Sequence, residues 1–377
     1  MKGRIAIGGA VAQKPGAAGH AWQFLQYLLG FRRLGYEVLL LDRGGAVGWV
    51  DEVLRWAGLD GAYSVDLGGG THAGVDRAGA LAFLRDCDLL LNVMGFVTDE
   101  ELLAAAPRRV FLDTDPGFGQ MWRALGLADV FAGHDAHVTI GERIGAPGCS
   151  VPACGLDWIT TPQPVVLDAW PALPPAPAGA FTSVATWRGA YAPVEYRGHT
   201  YGLRAHQMRH FAALPRLAGG EFALALDIHP ADAADAARLR AGGWRLADPA
   251  AVAATPAAYR AFVQASAGEL MVAKGMYVDS ASGWLSERSL CYLASGRPVV
   301  AQDTGFTALY PAGEGLLAFS TPDEAAAAVE AVRADPARHG AAARELAREH
   351  FDSDRVLGRL LDRVGAVPTA AQGAPVT

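Results

Sequence analysis

The clearest chemical pattern lies in the stretch 283–306, GWLSERSLCYLASGRPVVAQDTGF. Ser286 is a favourable N-cap for a helix that Gly296 would end, and an apolar strand at 299–301 then leads into a polar loop at 303–305. The free backbone N–H groups and the dipole at the start of a helix attract anions. This spacing predicts a cradle for a phosphate group, although an ordinary loop–helix–strand unit of an α/β protein shows the same pattern.

Acidic residues follow another predicted strand, in the first half of the chain. An apolar run at 110–112 leads into Asp113 and Asp115, and Gly117 comes shortly after them. The carboxyl ends of parallel strands are where ligand-binding and catalytic groups are commonly placed. Either aspartate could equally serve only to cap the turn before Gly117.

The elements that would position these groups alternate between strands and helices. A strand over 4–8 leads into a glycine-rich loop that begins with Gly8 and Gly9. A helix is predicted from Ala21 to Leu34, because its apolar residues repeat at helical spacing, and a second strand follows over 36–41. This order predicts a parallel sheet with functional sites at its carboxyl edge. The loop does not carry the dinucleotide fingerprint GxGxxG.

Six prolines between Pro162 and Pro177 mark the best domain boundary, because a proline-rich segment forms an extended, semi-rigid connection. Beyond it, strands and helices alternate again, with a helix predicted from about 203 to 214 and a strand over 222–227. We therefore expect an α/β protein with two Rossmann-like parallel-sheet domains. The predicted organisation is a first domain over 1–161, a linker over 162–179, a second domain over 180–352, and a C-terminal helix with a tail over 353–377.

The composition argues against several classes of function. The 377 residues carry a formal net charge of −7, whereas a nucleic-acid groove needs a basic face. The four cysteines form no CxxC pair, so we expect neither a zinc site nor a disulfide framework. No apolar run approaches the roughly 18–20 residues of a membrane span, and the N-terminus is unlike a signal peptide. We therefore predict a cytoplasmic protein without a bound metal or a membrane span.

The start of the chain resembles a family of enzymes. Gly19-His20, the helix after them and the run 33–38, RLGYEV, resemble the opening of GT-B glycosyltransferases, in particular of inverting members that modify natural products. In those enzymes the histidine removes the proton from the acceptor hydroxyl, and a downstream aspartate orients it. The resemblance implies that His20 is the general base and that Asp115 or, as second choice, Asp113 is its partner. The dipole of the helix would hold the imidazole neutral.

The end of the chain resembles the group-1 glycosyltransferases, which share the two-domain GT-B fold. The run 296–305, GRPVVAQDTG, is similar to the Gly-x-Pro-Val-Val-Ala-x-Asp-x-Gly pattern of that group. The resemblance implies a central cleft between the domains and a last helix, from about Ser353 to Val364, that packs back onto the first domain. Many members carry two glutamates where this chain has Gly283 and Cys291, one of them on the nucleotide ribose. This departure favours the inverting reaction with His20 as base.

The resemblance also implies how a donor is held. GT-B enzymes generally neutralise a nucleoside diphosphate with basic side chains and a helix N-terminus, without a metal. For each basic residue the alternative is a solvated surface charge. The expected donor-binding residues are Arg188, Lys274, Ser286, Glu287, Arg288, Ser289, Asp303, Thr304 and Gly305, and the glycine-rich loop contributes Gly8, Gly9 and Gly19.

Three functions are compatible with these observations. The first is a hexosyltransferase-type glycosyltransferase that moves a sugar from a nucleoside diphosphate sugar to a small-molecule acceptor, with no further cofactor. The second is a nucleotide-sugar 2-epimerase, which needs no separate acceptor. The third is a non-catalytic GT-B-like partner protein that stabilises another glycosyltransferase. The nucleotide, the sugar and the acceptor stay open, and so does the oligomeric state, for which a homodimer is one option.

Overall fold

The computed structural model describes residues 2–366, so the predicted tail at 367–377 lies outside the described residues. The first half contains β1 (Arg4–Gly8), α1 (Ala18–Arg33), β2 (Glu37–Arg43), α2 (Val47–Trp56), β3 (Tyr63–Gly68), β4 (Thr71–Gly74), α3 (Arg77–Arg85), β5 (Leu89–Val93), α4 (Glu100–Ala105), β6 (Arg109–Asp113), α5 (Phe118–Ala124), β7 (Ala136–Thr139) and β8 (Trp158–Thr160).

The second half begins with a strand, a hairpin and two short helices, continues as alternating strands and helices, and ends in helices. Its elements are β9 (Phe181–Thr186), β10 (Val194–Tyr196), β11 (His199–Tyr201), α6 (Arg204–His210), α7 (Leu214–Ala218), β12 (Phe222–Asp227), α8 (Ala233–Ala241), β13 (Arg245–Ala247), α9 (Pro249–Val252), α10 (Pro256–Ala265), β14 (Gly268–Met271), α11 (Gly275–Asp279), α12 (Glu287–Ala294), β15 (Val299–Gln302), β16 (Leu316–Phe319), α13 (Pro322–Ala334), α14 (Pro336–Leu346) and α15 (Ser353–Val364).

Eight strands of the described chain form the first sheet, in the order β4-β3-β2-β1-β5-β6-β7-β8. Neighbouring strands run parallel, except for β3 and β4, which pair antiparallel. The strand order reverses between β1 and β5, so the loops after these two strands open a crevice at the carboxyl edge. The glycine-rich loop before α1 therefore lies at the edge where a ligand would bind.

The second sheet has the order β13-β12-β9-β14-β15-β16, and all of its strand pairs are parallel. Its order reverses between β9 and β14, which opens a second crevice at the carboxyl ends of these two strands. The predicted α/β fold with two Rossmann-like parallel sheets is confirmed.

Helix α1 starts at Ala18, earlier than the predicted start at Ala21. The backbone N–H of Ala18 donates to the carbonyl of Ala253, in the second half of the chain, at 3.0 Å. Because the first N–H groups of a helix have no acceptor inside it, this contact satisfies one of them and stabilises the earlier start. His20 consequently lies in the first turn of α1.

The helix predicted from about 203 to 214 is divided into two. Helix α6 ends at His210, and α7 begins at Leu214 with Pro215 in its first turn. Proline has no N–H to donate and its ring blocks the preceding turn, so a continuous helix through Pro215 is unfavourable.

The last helix, α15, packs against α1. Gly30 in α1 permits this close approach, because a Cβ atom at that position would clash with a methyl group of Leu357. Arg33, at the end of α1, forms an ion pair with Asp354 at 3.1 Å. Within residues 2–366, no helix is both long and apolar enough to cross a membrane.

Candidate active site between the two sheets

A cleft of about 540 Å³ lies between the carboxyl edges of the two sheets. The first half contributes the loop before α1 and the loops after β5 and β6, and the second half contributes the ends of β9 and β14 and the starts of α6 and α12. The chemically active groups that line the cleft include Lys14, His20, Asp115, Arg204, Lys274, Tyr277, Ser286, Glu287 and Arg288.

His20 lies on one wall of the cleft. Its Nε2 donates to the carbonyl of Ala10 at 3.1 Å, and since a carbonyl only accepts, the neutral ring keeps its lone pair on Nδ1. Burial lowers the pKa of His20 to about 4, and the nearby charge of Lys14 adds to this effect. Phe24 packs edge-on against the imidazole, with ring centres 5.1 Å apart. His20 is therefore neutral near pH 7, with Nδ1 able to accept a proton.

Two guanidinium groups lie on the opposite wall. Arg288 forms an ion pair with the buried carboxylate of Glu269 and donates to the carbonyl of Val184 at 2.8 Å. Burial, together with the charge of Arg288, lowers the pKa of Arg204 to about 10, so Arg204 stays cationic near neutral pH. In the part of the chain that the structure describes, Arg204 Nε and Arg288 Nη2 are buried without a hydrogen-bond partner. A buried N–H donor without an acceptor is costly, so both nitrogens favour a ligand that accepts hydrogen bonds, and the charge of Arg204 favours an anionic one.

Lys274 connects the two walls. Its Nζ lies 2.9 and 2.8 Å from the two carboxylate oxygens of Asp115, and the hydroxyl of Tyr277 donates to the same carboxylate. The ammonium group also lies 5.1 Å from the ring centre of Phe118 and 5.2 Å from that of Tyr277, within the range of cation–π attraction. The cleft is thus bridged by an ion pair between the first and second halves of the chain.

Comparisons with known proteins point to the same two-sheet arrangement. Residues 225–362 match the model of a family described as glycosyl transferase-like. Comparison with curated protein sequences gives no significant match. Among solved structures, an alpha-glucosyltransferase in complex with UDP and a 13-mer DNA is similar, with 14% identity, a TM-score of 0.59, and coverage of 96% of this chain and 100% of that chain.

Two further solved structures are similar over nearly the whole chain. AviGT4, a glycosyltransferase involved in avilamycin A biosynthesis, has 14% identity and a TM-score of 0.54, with coverage of 99% of both chains. HepE from Anabaena, in complex with UDP and glucose, has 13% identity and a TM-score of 0.54, with coverage of 96% of this chain and 99% of that chain. The chain has the GT-B fold of the glycosyltransferases. The GT-B fold that the resemblance implied is confirmed.

The GT-B cleft does not pair His20 with either predicted aspartate, which corrects that expectation for the described residues. Asp115 is held by Lys274 and Tyr277, as given above. Asp113 is buried and accepts from Gln120 at 2.6 Å and from the hydroxyl of Thr139 at 2.8 Å. Burial raises the pKa of Asp113 to about 6. The contacts of Asp113 stabilise the connection from β6 to α5, whereas those of Asp115 join the two domains.

Arg188 is placed differently from the prediction. Its guanidinium forms a two-pronged ion pair with Asp232, at 2.8 and 2.7 Å, and its side chain is 62% exposed. Arg188 is not one of the described residues that line the GT-B cleft. The carboxylate of Asp232, at the start of α8, holds this arginine on the outer surface, so the alternative of a surface charge describes it better.

The loop after β15 also lies outside the cleft wall. Asp303 accepts from the N–H of Gly305 at 2.8 Å and from the hydroxyl of Thr307 at 2.8 Å, and the hydroxyl of Thr304 donates to the carbonyl of Trp284. The contacts of Asp303 lie within the loop, and that of Thr304 connects the loop to the segment before α12. The start of the predicted helix therefore lies at the cleft, whereas Asp303, Thr304 and Gly305 lie outside its lining.

The start of α12 does line the cleft. Ser286 caps the helix by accepting from the N–H of Arg288 at 3.3 Å, as the sequence predicts. Glu287 accepts from Gln163 and from the Ser286 hydroxyl, each at 3.3 Å. Ser289 lies one position further along the helix, is fully buried, and has a hydroxyl without a partner within residues 2–366. It is outside the described lining of the cleft.

The three glycines of the first loop have two different roles. A Cβ atom at Gly8 would lie 2.6 Å from Asn92 Oδ1, and one at Gly9 would lie 2.8 Å from Leu40 Cδ1, so both positions allow tight packing. Gly19 instead lines the cleft, where a Cβ atom would lie 3.0 Å from the ring of Tyr259. Only Gly19 of this group is placed to approach a ligand.

Sequence reasoning missed several residues of the cleft, among them Lys14, Arg204 and Tyr277. Arg204 follows a short hairpin and starts α6, and its only signal in the sequence is a basic residue at a predicted helix start. Within residues 2–366, no group of three or more His, Cys, Asp or Glu side chains is arranged to hold a metal ion.

Proposed function

We propose that this protein is a glycosyltransferase that moves a sugar from a nucleoside diphosphate sugar to a hydroxyl or amine of a small-molecule acceptor. The observation that carries the proposal is the pair of unpartnered guanidinium donors, Arg204 Nε and Arg288 Nη2, on the cleft wall opposite His20. The match to a glycosyl transferase-like family model supports the reaction class. The net charge of −7 favours a small acceptor over a nucleic acid.

The leaving diphosphate would be bound by the C-terminal GT-B domain. Arg204 supplies a positive charge, while Arg288, whose charge Glu269 balances, adds its free Nη2 donor. Helix α12 directs its N-terminal N–H groups and dipole to the same wall. These groups stabilise the charge that develops on the diphosphate as the glycosidic bond breaks. We propose that they perform this neutralisation without a metal ion or a further cofactor, and that the reaction takes place in the cytoplasm.

His20 would act as the general base of an inverting displacement. The acceptor oxygen attacks the anomeric carbon, the bond from that carbon to the diphosphate breaks, and the electron pair leaves with the diphosphate. The acceptor proton passes to Nδ1 of His20, the nitrogen that Ala10 leaves free. A pKa near 4 makes this imidazole a weak base in the empty cleft. The negative charge of a bound diphosphate opposes the effect of Lys14 and raises the pKa of His20 when the donor is present.

The proposal is tested by product analysis with a panel of nucleoside diphosphate sugars, each incubated alone and with a mixture of small hydroxyl and amine acceptors. We expect nucleoside diphosphate and a glycosylated product only when an acceptor is present. An epimerised nucleotide sugar formed without acceptor would replace the proposal with the 2-epimerase. The absence of both products and of nucleotide binding would favour a non-catalytic partner protein.

A further inference from the structure

A smaller cavity of about 190 Å³ adjoins the cleft in the N-terminal domain. Phe96, in the loop after β5, lines both spaces and therefore separates them. The smaller cavity, which we name the side pocket, lies at the carboxyl ends of β2 and β3 and against β4. Its polar lining includes Asp42, Arg43, Ser64, Asp66 and His72.

The polar groups of the side pocket are positioned by hydrogen bonds, but some of their hydrogen-bonding capacity is unsatisfied. His72 Nδ1 and the hydroxyl of Ser64 form a hydrogen bond of 2.9 Å, while His72 Nε2 is buried without a partner within residues 2–366. Asp66 accepts from the N–H of Gly68 through one carboxylate oxygen, at 2.8 Å. A buried ring nitrogen without a partner costs free energy, and a hydroxyl-bearing ligand would remove that cost.

The side pocket is structurally coupled to His20 through one loop. The carboxylate of Asp42 accepts from the N–H of Ala12 at 2.7 Å, and the carbonyl of Ala10 in the same loop accepts from His20. Phe24 contacts both His20 and Phe96, with ring centres 5.1 and 6.3 Å apart. A molecule that extends past Phe96 would therefore have one end in the side pocket and the other near His20.

We propose that the side pocket holds the non-reacting part of the acceptor, and that this part is a polyhydroxylated, sugar-like ring. This inference rests on the proposed function, since it assigns the acceptor of the same reaction. The volume is enough for about six water molecules, which is close to the size of one such ring. Phe96 offers an apolar face, and the opposite lining offers hydrogen-bonding groups.

The charge of the side pocket restricts the ring further. Asp42 and Asp66 contribute two carboxylates, while Arg43 is exposed and contributes one positive charge. Asp99, also in the lining, forms an ion pair with Arg77 at 2.8 Å. The excess of negative charge favours a neutral or amino-substituted sugar and disfavours a sugar acid.

The test is ligand-observed saturation-transfer NMR on the full chain, with UDP present, using methyl β-glucoside, glucosamine and glucuronate as probes. Thr98→Trp would obstruct the side pocket from its exposed rim, and His72→Ala would remove the unpartnered nitrogen. The matched control is Asp60→Asn, an exposed carboxylate outside the pocket. We expect methyl β-glucoside and glucosamine to bind to the wild type and to the control, and to lose about fivefold or more in affinity in both variants.

The outcomes separate this inference from the proposed function. If UDP binds and neither sugar binds, or if the sugars bind equally to wild type and both variants, the side-pocket assignment is wrong and the proposed function stands. Glucuronate that binds as tightly as methyl β-glucoside would also contradict it. If the sugars bind as expected and no nucleoside diphosphate binds, the proposed function fails while the side pocket stands.

Discussion

Lys274 and Asp115 form an ion pair that joins the two GT-B domains, with Nζ 2.8 Å from a carboxylate oxygen. The two residues are far apart in sequence, and each follows the carboxyl end of a strand in a different sheet. Their side chains are 16% and 19% exposed, so the pair is largely shielded from water. Removing one partner would leave a shielded charge without compensation.

The first prediction concerns the stability of this bridge. Lys274→Met and Asp115→Asn should each lower the free energy of unfolding by about 2 kcal/mol, and the double variant should lose clearly less than the sum. Urea denaturation of the four proteins measures this coupling. The exposed pair Arg348 and Glu345, with side chains 64% and 55% exposed, is the control and should show little or no coupling. If the losses in the free energy of unfolding at Lys274 and Asp115 are additive, the two residues do not stabilise the protein as an ion pair.

The second prediction concerns the pH dependence of stability at His20. Its pKa falls from 6.5 to about 4 in the folded protein, so between these values the unfolded state binds the proton more tightly. Stability from the neutral imidazole is therefore present above pH 6.5 and is lost as the pH falls towards 4. At pH 5, relative to pH 7.5, we expect a loss of about 2 kcal/mol that His20→Gln abolishes.

Measuring the difference between wild type and His20→Gln is essential, because other buried groups act in the opposite direction. Burial raises the pKa of Asp42 to about 6, of Asp113 to about 6 and of Glu142 to about 7. Each of these acids holds its proton more tightly when folded, so it adds stability as the pH falls below its folded pKa. If the free energy of unfolding changes with pH in the same way in wild type and variant, the pKa of His20 is not lowered by folding and the prediction is wrong.

The third prediction concerns catalysis by His20. His20→Ala should reduce kcat by about 10²–10⁴-fold, because the nitrogen that accepts the acceptor proton is removed, while the dissociation constant of the nucleoside diphosphate stays within about twofold. Steady-state kinetics and calorimetric titration of the same preparation provide both readouts. Unchanged turnover would remove His20 from the mechanism, and a large loss of nucleotide affinity would make it a donor-binding residue instead.

The fourth prediction concerns the contact of the last helix with α1. Gly30→Ala should destabilise the protein by about 1–3 kcal/mol, because the added methyl group meets Leu357. Gly358→Ala on α15 is the matched control, since its Cβ atom would meet no other atom within 4 Å. The control should be neutral or stabilising by up to about 1 kcal/mol. Thermal unfolding of both variants measures the contrast, and equal effects would contradict this packing.

The fold was predictable because its signals are local. The strand predicted over 4–8 and the strand Phe222–Asp227 have the same bounds in the structure, since a buried run between turn residues identifies a strand without knowledge of its partners. The N-cap at Ser286 was predictable for the same reason. The error at Pro215 was avoidable, because proline alone indicates the break between α6 and α7.

The site was less predictable because its pairings join distant residues. Three basic residues looked equivalent in sequence, two of them after strands and one at a helix start. The structure pairs Arg188 with Asp232, Lys274 with Asp115 and Arg288 with Glu269. Which carboxylate forms an ion pair with each of these basic residues depends on how helices and strands that are distant in sequence pack together. Asp303 is different, because its partners are close in sequence. An aspartate followed by Gly305 and Thr307 is typical of a turn in which the carboxylate accepts hydrogen bonds from its own loop, so these contacts could have been predicted.

The most direct test of the central claim compares two arginines that the structure places differently. Arg204 lines the cleft with an unpartnered donor, whereas Arg188 is bound to Asp232 on the outer surface. Calorimetric titration with UDP, ADP, GDP and dTDP should show that the wild type and Arg188→Ala bind at least one nucleotide with similar affinity. Arg204→Ala should bind it about 10–100-fold more weakly. If no nucleotide binds to the wild type, or if Arg204→Ala binds as tightly as Arg188→Ala, the account of the cleft as a nucleoside diphosphate site is wrong.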